Sequence, residues 1–207
     1  MRKVKIGIIG CGGIAKQKHL PSLKADPRAE LVAFCDLIEE RAQWAAGEYG
    51  AEGAKVYTDY HELLKDPEIE VVHVLTPNRS HCELTCDALH AGKHVMCEKP
   101  MAKTYADAKK MLEAAHETGK KLTIGYQNRF RPDSQYLKGR MDSLGEIYYA
   151  KAHALRRRGV PTWGVFLNEY EQGGGPLIDI GTHALDLTLW EMNNYEPKSV
   201  MGCAFKK

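Results

Sequence analysis

No stretch of this 207-residue chain comes near the roughly 20 consecutive apolar residues that cross a bilayer as a helix. The first apolar run, within Met1 to Ile9, is ended at once by Gly10, and no small-residue cleavage site follows, so no secretory signal is read. Charge of one sign is missing too. The 29 Lys and Arg stand against 27 Asp and Glu, a net of +2, which makes no electrostatic case for nucleic acid or an anionic membrane as partner. Internal repeats, low-complexity tracts and the close cysteine pairs of a zinc knuckle are absent. The six cysteines (Cys11, Cys35, Cys82, Cys86, Cys97, Cys203) lie scattered among apolar neighbours and read as reduced, mostly buried thiols of a cytoplasmic protein. The grouping His81, Cys82, Cys86 and His90 invites a metal, but His81 points about 100° away from Cys82 on a shared helix, so none is expected.

What is present is an alternation. Val4 to Ile9, Leu31 to Cys35, Val71 to Leu75, His94 to Cys97 and Leu122 to Gly125 are short apolar runs that read as strands buried on both faces. Helical segments separate them: Ile14 to about Ala25 with Pro21 as a break or kink, Ile38 to Tyr49, Tyr60 to Lys65 with Thr58 or Asp59 as cap, Ser80 to Gly92, and Thr104 to Gly119. The pattern predicts an α/β fold with a parallel sheet and right-handed crossovers. After Tyr126 the character changes. A helix is predicted near Ser134 to Leu144, a long strand from Ile147 to Arg158, a helix from Pro176 to about Met192, and a last strand from Ser199 to Phe205. Arg156, Arg157 and Arg158 read as a solvated strand end. A domain boundary is placed near Gly125, giving domains of 1–124 and 125–207.

Between the first strand and the first helix, KIGIIGCGGIA sets Gly10, Gly12 and Ala15 in a Gly-x-Gly-x-x-Ala pattern. Gly10 permits the tight turn, Gly12 lets the backbone approach a diphosphate, and a small residue at 15 lets helix and strand sit close. The helix N-terminus adds unpaired N–H groups and partial positive charge. Asp36 ends the second strand, where a carboxylate accepts from ribose hydroxyls and repels a 2′-phosphate. Neither Leu37 nor Ile38 supplies a cation, and Arg41 lies a helical turn on. This is a dinucleotide-binding fingerprint favouring NAD(H) over NADP(H).

The segment GGGPLIDIGTHALDLTLW carries a second constellation. At 100° per residue Asp179, His183, Asp186 and Trp190 share a narrow sector, while leucines and isoleucines fill most of the remaining circumference. A helix so apolar is expected to be mainly buried, with its polar stripe facing a cleft. Asp and His one turn apart can set each other's protonation state, as acid–base chemistry requires. Lys99, in Glu98-Lys99-Pro100, stands at the carboxyl end of a predicted central strand, the edge where ligands of open α/β sheets bind. An enclosed Lys there can donate to a substrate oxygen.

Together, GCGGIA, Asp36, TPNRSH at 76–81, EKP at 98–100 and GGGPLIDIGTHALD at 173–186 make the chain resemble the Gfo/Idh/MocA oxidoreductases. The resemblance implies an N-terminal Rossmann domain, a doubly wound parallel sheet, followed by an α/β open-sheet domain. It implies NAD as cofactor, a sugar or cyclitol as substrate, and hydride transfer between a hydroxyl-bearing ring carbon and the nicotinamide. It makes Lys99, Asp179 and His183 the catalytic group, and sets Gly10, Gly12, Gly13, Ala15, Asp36, Thr76, Asn78, Glu98 and Gln127 along the cofactor. Members of the family are normally longer, so the second domain is expected to be truncated, cofactor binding complete, and self-association to run through the C-terminal part. An NAD-dependent glycosidase of the same family and a non-catalytic dinucleotide-binding fragment are the alternative functions.

Overall fold

The computed structural model describes residues 2–155, 157–162, 164–203 and 205. Six strands form one sheet: β1 (Val4–Ile9), β2 (Ala29–Cys35), β3 (Lys55–Tyr57), β4 (Val71–Val74), β5 (His94–Cys97) and β6 (Leu122–Ile124). Every neighbouring pair is parallel, in the order β3-β2-β1-β4-β5-β6. This is the Rossmann arrangement, with the direction of winding reversing between β1 and β4.

The period-2 alternation of side chains builds a core on each face. Ile6, Ile8, Leu31 and Phe34 pack with Leu20, Ala42 and Ala45 beneath α1 (Leu20–Ala25) and α2 (Glu39–Tyr49). Ile9, Ala33, Val72, Val74, Val95 and Cys97 pack on the other face. There they meet α3 (Tyr60–Lys65), α4 (His81–His90) and α5 (Tyr105–Thr118) through Leu63, Leu84, Ala88, Met111 and Ala114. Both Leu31 and Phe34 reach the first core because the register slips opposite Ile6 and Gly7. The caps follow local chemistry. Asp59 accepts from the N–H of His61, Thr104 from that of Asp107, and Gly119 ends α5 in the left-handed region.

The five strands expected before Tyr126 all form within a residue or two. The sixth, β3, has three residues at the sheet edge, too short a run to stand out from its loop. Pro21 does not break the first helix. The backbone instead widens to a π turn over Ala15–His19, in which Leu20 N–H donates to Ala15, five residues back. Proline lacks the N–H that an α turn would use, and the wide turn accommodates that loss.

Beyond β6 come α6 (Pro132–Lys138), a 3-10 turn (Met141–Leu144), α7 (Glu169–Gln172), a second π turn (Leu177–Gly181) and α8 (Thr182–Met192). The strands expected at Ile147 to Arg158 and Ser199 to Phe205 do not form among the described residues, and Arg156 and Ala204 lie outside these. The open sheet of a second domain is therefore not seen. A strand needs a neighbour to close its ladder, and neither segment has one. Tyr148, Leu155, Val200 and Met201 stand exposed as a result. For the same reason the π turn and α8 are less buried than their composition implies: Leu177 and Leu185 are exposed, and Ile180, Ala184 and Leu187 line an open cavity of about 780 Å³.

His73 alternates with Val72 and Val74, so it faces the α1 side. There it is buried, its Nδ1 lacks a hydrogen-bond partner, and burial pulls its pKa down to about 4. The unfolded chain therefore binds this proton first as pH falls. Stability attributable to His73 is full above pH 6.5 and is lost between 6.5 and about 4. Acid unfolding should show a loss of about 3 kcal/mol across that window. His73→Leu should flatten it, and an unchanged pH profile in that variant would refute the assignment.

Candidate active site

All six strands end on one edge, and the functional loops gather there. Gly10 has φ +95°, and a Cβ would stand 2.8 Å from the Leu75 carbonyl, so only glycine fits between β1 and β4. At Gly12 and Gly13 a Cβ would project into open space, the approach a diphosphate needs, while Ala15 is fully buried. Asp36 braces the same loop. Its Oδ2 accepts from Cys11 N–H at 2.8 Å and its Oδ1 from Ile38 N–H at 3.0 Å. Each oxygen keeps a lone pair for a ribose hydroxyl. Arg41, a turn away in sequence, folds back to 4.0 Å from Oδ1, closer than the spacing implies. Glycine cradle, helix N-terminus and acid together fit a dinucleotide.

The other half of the edge carries Lys99. Its Nζ donates to Asp179 Oδ1 at 3.0 Å and lies 3.3 Å from the Asp179 carbonyl, across 80 positions of sequence. The pair is only 18% and 24% exposed, so water screens it partly. His183 sits one turn beyond Asp179. Burial first, then the charge of Lys99, hold its pKa below the usual histidine range. It is therefore neutral at neutral pH and able to accept a proton. Its Nδ1 is buried without a partner, and Tyr126 meets the ring edge-on at 6.4 Å.

Lys99, Asp179 and His183 are thus brought together from two segments, and Glu98 adjoins them. The polar stripe on α8 is spoken for by the loop after β6. Arg129 grips both oxygens of Asp186, and Tyr126 and Thr182 hydroxyls lie 3.1 Å apart. Trp190 receives Arg129 and Lys138 over its ring. Thr76 accepts from Ser80, and Asn78 donates to the Gln172 carbonyl, so Asn78 ties the edge to α7. Gln127 is exposed at the start of a 3-10 turn. His81 is wholly buried with ring nitrogens 2.8 Å and 2.9 Å from the carbonyls of Pro100 and Thr76. Burial favours its neutral form, which donates to one of the two. Among the described residues no three His, Cys, Asp or Glu side chains gather as a metal site, and no helix is long and apolar enough to cross a membrane. Sequence reading passed over Tyr126, Arg129 and His19; the Arg-x-x-Pro loop after β6 was the available signal for Arg129.

Residues 4–126 match the family described as an oxidoreductase family with an NAD-binding Rossmann fold, and 139–206 match the Gfo/Idh/MocA C-terminal domain. The chain belongs to the Gfo/Idh/MocA oxidoreductases. It is 44% identical to D-glucoside 3-dehydrogenase of Escherichia coli K12 over 99% of its own length and 58% of that protein's. With inositol 2-dehydrogenase of Salmonella typhimurium it shares 41% identity over 70% of its length and 43% of the relative's. The chain thus spans about half the length of these curated relatives. Among solved structures it resembles the WlbA dehydrogenase of Bordetella pertussis, crystallised with NADH and UDP-GlcNAcA. The TM-score is 0.83 at 29% identity, covering 91% of this chain and 55% of that one.

The hypothesis that Asp36 selects against a 2′-phosphate has a direct consequence. Asp36→Ser combined with Leu37→Arg should weaken NAD binding and strengthen NADP binding, read by calorimetric titration of both. Tighter NADP than NAD binding by the native chain would refute it.

Proposed function

We propose that this chain carries the cofactor site and the acid–base group of an NAD-dependent dehydrogenase acting on a secondary ring hydroxyl of a sugar or cyclitol. The observation that carries the reading is the Lys99–Asp179 ion pair at the carboxyl edge of β5, with a neutral His183 one turn away. Bound NAD supplies the hydride acceptor. His183 takes the hydroxyl proton as general base, which its depressed pKa suits. Lys99 donates a hydrogen bond to the same oxygen as it becomes a carbonyl. Asp179 orients the substrate and holds Lys99 in place. Gly10, Gly12, Gly13 and Ala15 seat the diphosphate, Asp36 the adenosine ribose, and Thr76, Asn78, Glu98 and Gln127 the nicotinamide half.

The names of the relatives point to D-glucosides and inositol as first substrates. Two domains, 1–124 and 125–207, belong to the same reading, as does self-association through the C-terminal part, where Tyr148, Leu155 and Met201 are exposed. Six free cysteines accord with a cytoplasmic location.

The test compares native protein, extended to the length of its relatives, with Lys99→Met and His183→Ala on a panel of glucosides and cyclitols. NAD affinity should stay within a few-fold while kcat falls by about 10²–10⁴-fold in each. Near-normal turnover in either variant removes that residue from the mechanism. Release of an aryl leaving group without net NADH would instead establish glycosidase chemistry.

A further inference from the structure

Arg129 is the point at which three neighbours of His183 meet. It lies in the 3-10 turn Gln127–Phe130 after β6. Its N–H donates to the Tyr126 carbonyl at 3.2 Å, and its own carbonyl accepts from the Gln135 side chain. The guanidinium grips both oxygens of Asp186 on α8, 57 positions away. It also lies 5.7 Å from the centre of the Tyr126 ring and 5.9 Å from that of Trp190. Tyr126 in turn meets the His183 ring edge-on. The Asp186 side chain is 9% exposed and that of Arg129 30%, so water screens the pair only in part.

Asp186 stands three residues after His183, a spacing that sets their Cβ atoms about 5–6 Å apart on one helix face. By itself that carboxylate draws a proton onto His183, because an anion favours imidazolium. The other charges around the ring are divided in sign. Glu98 and Asp179 also favour the charged form, and Lys99 opposes it. Lys151, His153 and Glu191 line the cavity that His183 borders. Within this set Asp186 has both oxygens taken up by one cation, and a two-nitrogen grip fixes direction as well as charge. We propose that Arg129 is a positioning residue for His183: its grip on Asp186 sets the rotation of α8 and cancels the nearest carboxylate on that helix. The inference rests on the base assigned above.

The experiment labels the histidines of the 207-residue chain with ¹³C and reads the protonated fraction of His183 at pH 6 by NMR. The signal is assigned by its loss in His183→Gln, and neither cofactor nor substrate is added. Arg129→Met leaves Asp186 unbalanced and should raise that fraction about threefold or more. Asp186→Asn leaves Arg129 unbalanced and should lower it by about the same factor. The double variant should lie near the native value. Opposite signs separate this role from that of a structural prop. Loosening α8 would expose His183 and move both single variants upward, towards an ordinary histidine. A rise in Asp186→Asn, or no change in either single variant, would overturn the proposal. Asp186→Asn decides the matter even where Arg129→Met fails to fold. In protein extended to the length of its relatives, Arg129→Met should lower kcat about 10–100-fold while KM stays within a few-fold. Unchanged kcat would overturn the aiming of His183. If the native extended protein oxidises no glucoside or cyclitol, the base assignment itself falls, and the NMR reading alone judges the charge arrangement.

Discussion

Parallel pairing is the constraint from which the site follows. Because β1, β2, β4, β5 and β6 all run the same way, their carboxyl ends deliver Gly10, Asp36, Thr76, Glu98-Lys99 and Tyr126 to one edge, although these span well over a hundred positions. The reversal of winding between β1 and β4 leaves a crevice between the loops that follow them. Gly10 shows how tightly that crevice is drawn: a methyl group there would collide with the backbone of Leu75. The sheet is held by burial on both faces, with Ile8, Phe34, Val72 and Val74 nearly inaccessible. Each such side chain contributes roughly 1.5–3 kcal/mol relative to exposure, so the edge geometry is anchored by the core and not by the polar groups displayed on it.

Those polar groups do a different job. Lys99–Asp179 and Arg129–Asp186 join α8 and its π turn to the loops after β5 and β6, and Asn78 holds the end of α7. Partly buried pairs of this kind gain little net stability, since desolvation offsets much of the attraction. Their worth is in direction. Arg129 contacts Asp186 through two nitrogens, which fixes the rotation of α8 about its axis. His183 and Asp179 lie one and two turns before Asp186, so the same grip aims them at Lys99.

How much of this was legible in the sequence divides along the range of the interactions. Strands buried on both faces announce themselves as continuous apolar runs, and the glycine loop and its acid depend on neighbours in sequence. Caps such as Asp59 and Thr104 are equally local. The misses are non-local. The segment beginning at Ile147 opens with the strand-favouring Ile147, Tyr148 and Tyr149, but composition does not supply a pairing partner, and among the described residues it finds none. Arg129 with Asp186 and His19 with Glu98 are separated by 57 and 79 positions, beyond any periodicity. Lys99 and Asp179 were singled out separately, and the family resemblance made them one group; their contact is a property of the fold.

The two π turns explain a subtler shortfall, and they tie the site together. A helical wheel assumes 100° per residue, whereas a turn closed by a bond five residues back advances less per residue. Asp179 lies inside such a turn and His183 just beyond it, so the sector counted on an ideal wheel is not the one the backbone presents. Asp179 meets Lys99 from within the wide turn, while Asp186, on regular helix, meets Arg129. The first π turn is the counterpart across the crevice. Pro21 removes one donor from the helix after the glycine loop, the backbone widens over Ala15–His19, and the last residue of the widened turn is the one that reaches Glu98. Each side of the edge beyond β5 is therefore furnished by a residue on a wide turn, one from the glycine-loop helix and one from the helix after Pro176. A regular α-helix through either segment would advance 100° per residue and so present His19 or Asp179 at a different angle to its partner just beyond β5.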